Sequence, residues 1–244
     1  MKRRLDQLVF EKGLVQSRSQ AESWIKLGKV TVGGQQVTKP GASVDEDAEI
    51  ELKADEQYVS RAGLKLASVA QILDLHFAGK VMLDVGSSTG GFTDFALRRG
   101  AKKVIAVDVG TDQLHPSLRP NPAIELHEQT DIRSITSTSS PIDIVVIDVS
   151  FISLREILPH IATLCGPQTI VAAMVKPQFE AQQSDIKHKG VIKNDRMRRD
   201  VLKDFEQWVK PYFVVLGKAD SEVAGSKGNR ERFYKLRCTA LPRR

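Results

Sequence analysis

The amino-acid sequence predicts an α/β fold, in which a mostly parallel sheet carries helices on both faces and follows a small N-terminal α+β unit. Three observations lead to this prediction. Short apolar runs alternate with helical patterns from residue 81 onward. The first of these runs, residues 81–85, leads into a glycine- and serine-rich loop and then into a helical pattern. The first 53 residues differ, because they show two short helical patterns and a hairpin signal.

The length and composition agree with this division. A chain of 244 residues suits one large domain plus a small one, and we expect a small domain over residues 1–53, a linker over 54–59 and a main domain over 60–244. Apolar residues make up 41% of the chain, which is enough for a packed core. No apolar run approaches the roughly 18 residues of a membrane span, and the charged N-terminus is not typical of a secretion signal.

The two cysteines bear on the cellular compartment. Cys165 and Cys238 lie far apart in the sequence, each within an apolar segment. Such a pair predicts buried thiols in a reducing cytoplasm rather than a disulfide or a metal site. We therefore expect a cytoplasmic protein that binds no metal and does not act on a membrane.

The charge of the chain is unevenly distributed. The net charge is +6, but residues 1–40 carry eight Lys/Arg against three Asp/Glu, whereas residues 41–56 carry seven acids against one lysine. A local basic region is what a surface that faces RNA requires. The candidate RNA-binding residues of the small domain are Arg3, Arg4, Arg18, Lys26, Lys29 and Lys39. The alternative is a solvated charged face on a stabilising domain.

The elements of the small domain can be placed from apolar spacing and turn residues. We expect helices over residues 5–13 and from about 18 to 27, the second capped by Ser17 or Ser19. Gly33-Gly34 predicts a hairpin within residues 29–39, and residues 48–52 alternate as a further strand. This stretch resembles the ribosomal-protein-S-four-like (alpha-L) RNA-binding module. The resemblance rests on Arg4-Leu5-Asp6, Gly13-Leu14, Ser17-Arg18, Ala21, Ile25, Gly28-Lys29-Val30, Gly34, Val37 and Lys39-Pro40.

The elements of the main domain follow from the same patterns. A helix is expected from Ser60 onward. The predicted strands are 81–85, 103–108, 123–127, 143–148 and 169–175, and the predicted helices are 91–99, 153–164 and 195–208. Two late apolar stretches, 211–217 and 232–238, suggest an antiparallel hairpin at the edge of the sheet.

The loop after the first main strand predicts a nucleoside site. Its pattern, Asp84-x-Gly86-x-Ser88-x-Gly90, differs from the dinucleotide fingerprint and is typical of a Rossmann-like class I methyltransferase. This pattern disfavours the alternative of a dinucleotide oxidoreductase. The expected cofactor is S-adenosylmethionine. The candidate cofactor-binding residues are Asp84, Gly86, Ser87, Ser88, Gly90, Gly91, Phe92, Asp108, Asp131 and Asp148.

Three acids of this set have separate expected contacts. Asp84 suits the ammonium of the cofactor, and Asp108 ends the next strand, where a carboxylate can accept both ribose hydroxyls. Asp131 follows the third strand, where an acid can accept from the adenine amino group. Asp108 and Asp131 are equally compatible with turn or cap roles, so both interpretations stay open.

Four ionisable residues lie where a sheet of this kind forms its site. Asp148 and Lys176 each follow an apolar strand, and Glu231 precedes the last one. Lys65 lies in the first turns of a helix, where residue chemistry alone predicts an ordinary exposed lysine. Each of the other three is also compatible with a simple salt bridge.

Several motifs together resemble TlyA-type proteins, which are RNA ribose 2′-O-methyltransferases related to the FtsJ/RrmJ group and in some cases labelled haemolysins. The motifs are Ser60-Arg-Ala-Gly-Leu-Lys65, the loop 84–93, Asp148-Val-Ser-Phe-Ile-Ser-Leu154, Val175-Lys-Pro-Gln-Phe-Glu180, Lys189-Gly-Val191 and Gly228-Asn229 with Glu231. The resemblance covers essentially the whole chain. It implies that the catalytic tetrad of the family corresponds to Lys65, Asp148, Lys176 and Glu231.

The implied chemistry assigns a role to each residue of the tetrad. A ribose hydroxyl is a poor nucleophile, so the enzyme mainly orients it and removes its proton. We expect Lys176 to be the base or the hydroxyl-orienting group, Asp148 to position Lys176, and Lys65 and Glu231 to steer the ribose. The basic segment 185–199 is expected beside the site, where Lys187, Lys189 and Lys193 would contact RNA phosphates. A solvated loop is the alternative for this segment.

The resemblance therefore implies S-adenosylmethionine-dependent 2′-O-methylation of a cytidine in ribosomal RNA, in particular that of the large subunit, with an effect on sensitivity to capreomycin-type antibiotics. The expected partner is ribosomal RNA or a ribosomal subunit. Two alternatives remain at this point: a non-catalytic RNA-binding or assembly factor that has kept the fold, and a membrane-lytic haemolysin.

Overall fold

A computed structural model of the chain describes residues 1–15, 17–53, 58–181, 191–192, 194–225 and 228–239. Residues 54–57 of the expected linker lie outside the described residues. The same holds for the three basic residues Lys187, Lys189 and Lys193.

The N-terminal unit contains two helices and two small sheets. Its elements are β1 (Lys2–Arg4), α1 (Leu5–Glu11), α2 (Arg18–Lys26), β2 (Val30–Val32), β3 (Gln35–Gln36), β4 (Ser43–Asp45) and β5 (Ile50–Leu52). Strands β3, β2 and β5 form one antiparallel sheet, and β1 pairs with β4. The predicted hairpin and both helices are confirmed, and the Ser17 hydroxyl caps α2 by accepting from the Gln20 amide. The β1–β4 pair was not predicted, because three-residue strands show no period.

The main domain is built on a seven-stranded sheet. Its strands are β6 (Val81–Val85), β7 (Lys103–Val107), β8 (Ile124–His127), β9 (Ile144–Ile147), β10 (Ile170–Val175), β11 (Phe213–Asp220) and β12 (Arg232–Cys238). Its helices are α3 (Arg61–Ala70), α4 (Gly91–Arg98), α5 (Leu158–Leu164), α6 (Pro177–Glu180) and α7 (Asp195–Trp208). The strand order is β11-β12-β10-β9-β6-β7-β8. Strands β6 to β10 run parallel, and β11 and β12 form the predicted antiparallel hairpin at one edge.

One predicted helix begins later than expected. Residues Leu154–Glu156 form a single 3-10 turn, and α5 begins at Leu158. Pro159 occupies the first turn of α5, where its missing N–H costs nothing. The side chain of Ser153 caps the preceding turn, so the polypeptide bends where the apolar period alone predicted a continuous helix.

The sheet separates two apolar clusters, because alternate side chains of each strand point to opposite faces. On one face, Met82 packs with α3 and α4, and this cluster also contains Leu5 and Ile25 of the N-terminal unit. On the other face, Leu83 packs with α5 and α7. The N-terminal unit is therefore packed on the same side of the sheet as α3 and α4, as part of a common core, and Gln20 Nε2 donates to the carbonyl of Tyr58 at 2.6 Å.

The two cysteines meet in the folded chain. Cys165 follows α5 and Cys238 ends β12; both are half-buried free thiols in hydrogen-bonding contact with each other. That hydrogen bond, together with burial, raises the pKa of Cys165. The sequence predicted buried thiols, whereas both are half-buried, and separation along the sequence did not reveal that they are neighbours.

Candidate active site

A cavity of about 520 Å³ opens at the carboxyl ends of β6, β9 and β10. The parallel strands bring the loops that follow them to one edge, which is where open α/β sheets bind ligands. The cavity is lined by Ser60, Arg61, Ala62, Lys65, Asp84, Gly86, Ser87, Ser88, Thr89, Phe92, Asp148, Ser150, Phe151, Lys176, Gln178, Phe179, Gly225, Asn229 and Glu231. All four residues of the predicted tetrad lie in this set, together with six of the ten predicted cofactor residues, one of which, Asp148, also belongs to the tetrad.

Asp84 is a fully buried carboxyl group at the end of β6. Its Oδ2 accepts a hydrogen bond from the Thr93 hydroxyl at 2.7 Å, whereas Oδ1 has no hydrogen-bond partner in the part of the chain described. Burial raises the pKa of Asp84 to about 7, opposed by the Thr93 hydrogen bond and reinforced by the charge of Asp148. The site therefore contains a buried carboxyl oxygen that the described residues leave available to a ligand donor.

Close backbone contacts shape the loop between Asp84 and α4. A Cβ on Gly91 would lie 2.3 Å from Ser60 Oγ, so the N-terminus of α3 can approach α4 only because residue 91 is glycine. Gly86 has φ +78, and a Cβ there would lie 2.7 Å from the carbonyl oxygen of Asp148. Ser88, which replaces the middle glycine of the common motif, also has a positive φ of 46. The loop thus keeps the glycine-like backbone that the motif predicted.

A second cavity of about 420 Å³ adjoins the first, because Gly86, Ser88, Asp148, Ser150 and Phe151 line both. It contains the other two predicted cofactor acids. Asp108 accepts from the amides of Ser88 at 2.8 Å and Gly110 at 2.7 Å.

Asp131 accepts from the Arg133 amide and pairs with the Arg133 guanidinium at 2.6 Å, and these bonds hold its pKa below the usual range. Both acids therefore have turn or cap bonds while they line a cavity. The two interpretations left open by the sequence are compatible.

The four tetrad residues form two buried ion pairs. Lys65 Nζ lies 2.6 Å from Glu231 Oε2, and Lys176 Nζ lies 2.6 Å from Asp148 Oδ1. Lys176 Nζ also donates to Ser150 Oγ at 2.7 Å. The expectation that Lys65 is an ordinary exposed lysine is wrong: the residue is only 8% exposed, because α3 packs against α4 and turns this side chain toward Glu231.

Strand register explains how distant residues come together. Asp148 and Lys176 follow β9 and β10, which are parallel neighbours. Glu231 precedes β12, whose first residue, Arg232, pairs with Val175 at the end of β10. The start of an antiparallel strand therefore lies at the same edge as the ends of the parallel strands, and Lys65 reaches this edge from α3.

Ten of the residues that line the cavity were not selected by sequence reasoning, and three of them have distinctive surroundings: Phe151, Gln178 and Phe179. Phe151 is 89% exposed and has φ +66, a rare backbone conformation for a bulky side chain. Its ring lies 5.4 Å from that of Phe179. Gln178 is 8% exposed, and its Oε1 has no hydrogen-bond partner among the described residues. All three belong to motifs quoted for the family resemblance, but nothing in the sequence marked them as site residues.

The buried carboxyl group of Glu180 links two segments of the site by hydrogen bonds. Glu180, at the end of α6, accepts from the Ser153 hydroxyl at 2.6 Å and from the Leu154 amide at 2.9 Å. Burial raises the pKa of Glu180, although these hydrogen bonds oppose the shift. The loop that carries Phe151 is thereby joined to the helix that follows Lys176.

The predicted basic residues of the N-terminal unit fall into two groups. Arg4 and Arg18 both pair with buried Asp6, at 2.9 and 2.7 Å, and Arg3 pairs with Glu11 at 2.6 Å. Burial raises the pKa of Asp6, but the hydrogen bonds from the two arginines outweigh it and hold the pKa below its usual range. Lys26, Lys29 and Lys39 are exposed.

Metal binding and membrane insertion are two further properties that side-chain placement bears on. Within the described ranges, no group of three or more His, Cys, Asp or Glu side chains is arranged to hold a metal ion. None of the helices in that same part of the chain is long and apolar enough to cross a membrane.

Comparison with known proteins adds independent findings. The FtsJ-like methyltransferase family matches residues 58–238, and the S4 domain family matches residues 3–50. The 16S/23S rRNA (cytidine-2′-O)-methyltransferase TlyA of Mycobacterium tuberculosis is 35% identical, over 96% of this chain and 89% of the relative. The 23S rRNA (cytidine-2′-O)-methyltransferase TlyA of Campylobacter jejuni is 41% identical, over 73% of this chain and 70% of the relative. A solved structure from Streptococcus thermophilus that carries the name hemolysin is 38% identical, with a TM-score of 0.73 over 99% of this chain and 90% of the other.

Proposed function

The chain belongs to the FtsJ-like methyltransferase family and carries an S4 domain at its N-terminus, and from this premise we propose that it methylates the 2′-hydroxyl of a cytidine in ribosomal RNA. The substrate class follows the names of the two TlyA relatives, both cytidine-2′-O-methyltransferases of ribosomal RNA. The observation that carries the proposal is the pair of buried Lys–carboxylate contacts beside the unpartnered oxygen of Asp84. Work on ribosomal RNA also agrees with the cytoplasmic location expected from the composition.

The residues of the loop after β6 fit S-adenosylmethionine. Asp84 Oδ1 is buried without a donor, and an ammonium group would provide one. We assign the ammonium to Asp84, the ribose hydroxyls to Asp108 and the adenine amino group to Asp131, with the loop residues 86–92 packed around the ligand. When bound, S-adenosylmethionine supplies an electrophilic methyl group on a positively charged sulfur.

The two ion pairs would orient the acceptor hydroxyl and receive its proton. Lys176 Nζ is held between Asp148 Oδ1 and Ser150 Oγ, so its position is determined from two sides. A lysine accepts a proton only when it is neutral. In that state Lys176 takes the hydroxyl proton, while Lys65 and Glu231 hold the ribose.

The base of the acceptor nucleotide requires an apolar surface to lie on, away from the two ion pairs of the cavity. Phe151 presents an almost fully exposed ring at the rim, next to Phe179. Enzymes that act on a nucleotide within folded RNA must unstack it, and an aromatic ring compensates for part of the lost stacking. The exposed Phe151 ring is therefore suited to a base that has left its stack.

The N-terminal unit would hold the RNA by its phosphates. Arg4 and Arg18 keep about half of their side chains exposed, at 50% and 45%, although both contact Asp6. Lys26, Lys29 and Lys39 add exposed positive charge. Contacts of this kind provide affinity and position but little sequence reading, so the choice of nucleotide falls to the main domain.

The proposal is tested by incubating the purified chain with isolated large and small ribosomal subunits and S-adenosylmethionine labelled in the methyl group. We expect label in ribosomal RNA as a 2′-O-methylcytidine, mapped by its resistance to alkaline cleavage. Lys176→Ala should retain cofactor binding and lose transfer. No label from the wild-type protein in either subunit or in free ribosomal RNA would contradict the proposal and favour a non-catalytic RNA-binding factor.

A further inference from the structure

Gln178 has a buried polar atom that the proposed mechanism does not use. The side chain lies in the first turn of α6, two residues after Lys176, and only 8% of the residue is exposed. The residue lines the cavity, and its Oε1 is buried and has no hydrogen-bond donor in the described part of the chain. Buried amide oxygens are nearly always hydrogen-bonded. We therefore expect a ligand in the cavity to donate a hydrogen bond to Gln178 Oε1.

The other unpartnered atoms around the cavity have explanations that do not extend to Gln178. Asp84 Oδ1 and Ser87 Oγ lie on the loop after β6, the expected methyl-donor side, and Ser60 Oγ faces Gly91 in the same region. Asp148 Oδ1 and Glu231 Oε2 each lie 2.6 Å from a lysine and are engaged as ion pairs. Gln178 instead lies on α6, which directly follows Lys176 and also carries Phe179, and this places the residue on the acceptor side.

We infer that Gln178 reads the base of the target nucleotide, with Oε1 accepting a hydrogen bond from the exocyclic amino group of cytosine. This inference rests on the proposed function. Cytosine presents the N4 amino group as a donor next to N3 as an acceptor, whereas uracil presents an acceptor, O4, at the same place. An amide oxygen that faces O4 stays unpaired, and that loss selects against uridine.

The aromatic residues near Gln178 give the base a plane on which to lie. Phe179 follows Gln178 directly, and its ring is 5.4 Å from Phe151 and 5.9 Å from Lys176 Nζ. A base that lies against these rings presents its edge, rather than its face, to the neighbouring amide. Its ribose then lies toward Lys176, so one short segment, residues 176–179, contacts hydroxyl, base edge and base face.

The test compares cytidine and uridine at the methylated position. Once the wild-type protein has identified the nucleotide, ribosomal subunits carrying cytidine or uridine there are methylated by wild type, Gln178→Leu and Gln178→Glu. We expect wild type to prefer cytidine and Gln178→Leu to lose roughly 5- to 150-fold of that preference in kcat/KM, the discrimination typical of a good base contact. Affinity for S-adenosylmethionine should stay within about two-fold, since a base contact lies on the acceptor side. Gln71→Leu, at an exposed glutamine after α3, is the matched control and should behave as wild type.

Gln178→Glu keeps the test informative if the leucine variant does not fold. An ionised carboxylate only accepts hydrogen bonds, so this variant should methylate cytidine and reject uridine at least as strongly as wild type. Equal methylation of cytidine and uridine by wild type, an unchanged preference in Gln178→Leu, or a lost preference in Gln178→Glu would overturn the inference alone. Weaker S-adenosylmethionine binding in Gln178→Leu with an unchanged preference would overturn it as well. Absence of methylation by wild type would instead overturn the proposed function, and this inference with it.

Discussion

The main domain and the N-terminal unit both place carboxylates beside basic side chains, but the number of basic side chains per carboxylate differs. In the cavity each lysine has one carboxylate, and both members of each pair are shielded from water. In the N-terminal unit one fully buried carboxylate, Asp6, serves two arginines that stay about half exposed. One-to-one pairing cancels charge and orients the amino groups. One-to-two pairing leaves a net positive charge at the surface, in a fixed place, which suits the binding of phosphates.

Asp84 is a third arrangement. It is as buried as Asp6, but no basic side chain is among its hydrogen-bond partners, and its pKa rises to about 7 rather than falling. The same residue type thus has opposite electrostatics in the two domains. The difference agrees with the proposal that Asp6 is completed by the protein and Asp84 by a ligand.

The largest expected effect comes from breaking a one-to-one pair. Lys176→Ala should lower kcat by about 10²- to 10⁴-fold, because it removes the group that orients the hydroxyl and takes its proton. It also leaves Asp148 without its counter-ion, so the variant is combined with Asp148→Asn to separate folding from catalysis. Methyl transfer and cofactor affinity are measured for both variants, with the exposed Lys203→Ala as control. A Lys176→Ala variant that transfers methyl groups at the wild-type rate would remove Lys176 from the mechanism.

The second effect comes from breaking the one-to-two cluster. Asp6→Asn should lower the free energy of unfolding by about 1–3 kcal/mol, because a buried acceptor of two charged donors loses its charge. RNA affinity should also fall, even though the chain gains positive charge, because Arg4 and Arg18 lose the group that holds them in place. Urea denaturation and RNA binding at fixed salt measure the two quantities. Tighter RNA binding by the variant would mean that net charge, rather than arginine position, determines affinity.

The third effect concerns the pH dependence of Asp84. With a pKa of about 7 in the folded chain, this carboxyl group binds a proton that the unfolded chain has already released, so between about pH 4 and 7 the ligand-free protein loses stability as pH rises. Cofactor affinity should follow the opposite direction, because only the ionised carboxylate attracts an ammonium. We expect S-adenosylmethionine to bind more weakly below pH 7, approaching tenfold per pH unit.

Calorimetric titrations at pH 5.5, 6 and 7 measure this dependence, over a range in which the amino group of the ligand stays charged. Asp84→Asn is the control and should bind weakly with a flat profile. A wild-type profile as flat as that of the variant would show that the ammonium contacts another group.

The smallest effect is expected at the exposed lysines of the N-terminal unit. Replacing Lys26, Lys29 or Lys39 singly by alanine should weaken RNA binding only a few-fold, uniformly across RNA sequences. Each replacement of a phosphate contact should reduce the salt dependence of binding by about one counter-ion. Binding isotherms at several salt concentrations test this, with Lys210→Ala of the main domain as control. A lysine whose loss leaves the slope unchanged does not contact phosphate.

The amino-acid sequence predicted most of the fold and several features of the candidate site, and the errors have identifiable causes. The five parallel strands were placed to within a residue or two, since each is an apolar run bounded by turn residues. The helix over 153–164 was wrong in its first half, because Pro159 and the Ser153 cap act over a few residues that an apolar period does not resolve. Phe151 was not predicted as a site residue, because no sequence pattern predicts a positive φ at a phenylalanine.

What the sequence determined by itself is local or carried by a motif: the order of strands and helices, the glycine-rich loop after β6, and the resemblance that selected Lys65, Asp148, Lys176 and Glu231. Only the tertiary structure decided how these residues pair, that Lys65 is buried, that Asp6 holds two arginines and that Gln178 has an unpartnered oxygen. The physical reason is distance along the chain. Burial and ion pairing join Lys65 to Glu231 across 166 positions through strand register and helix packing, and no local pattern of residues carries that information.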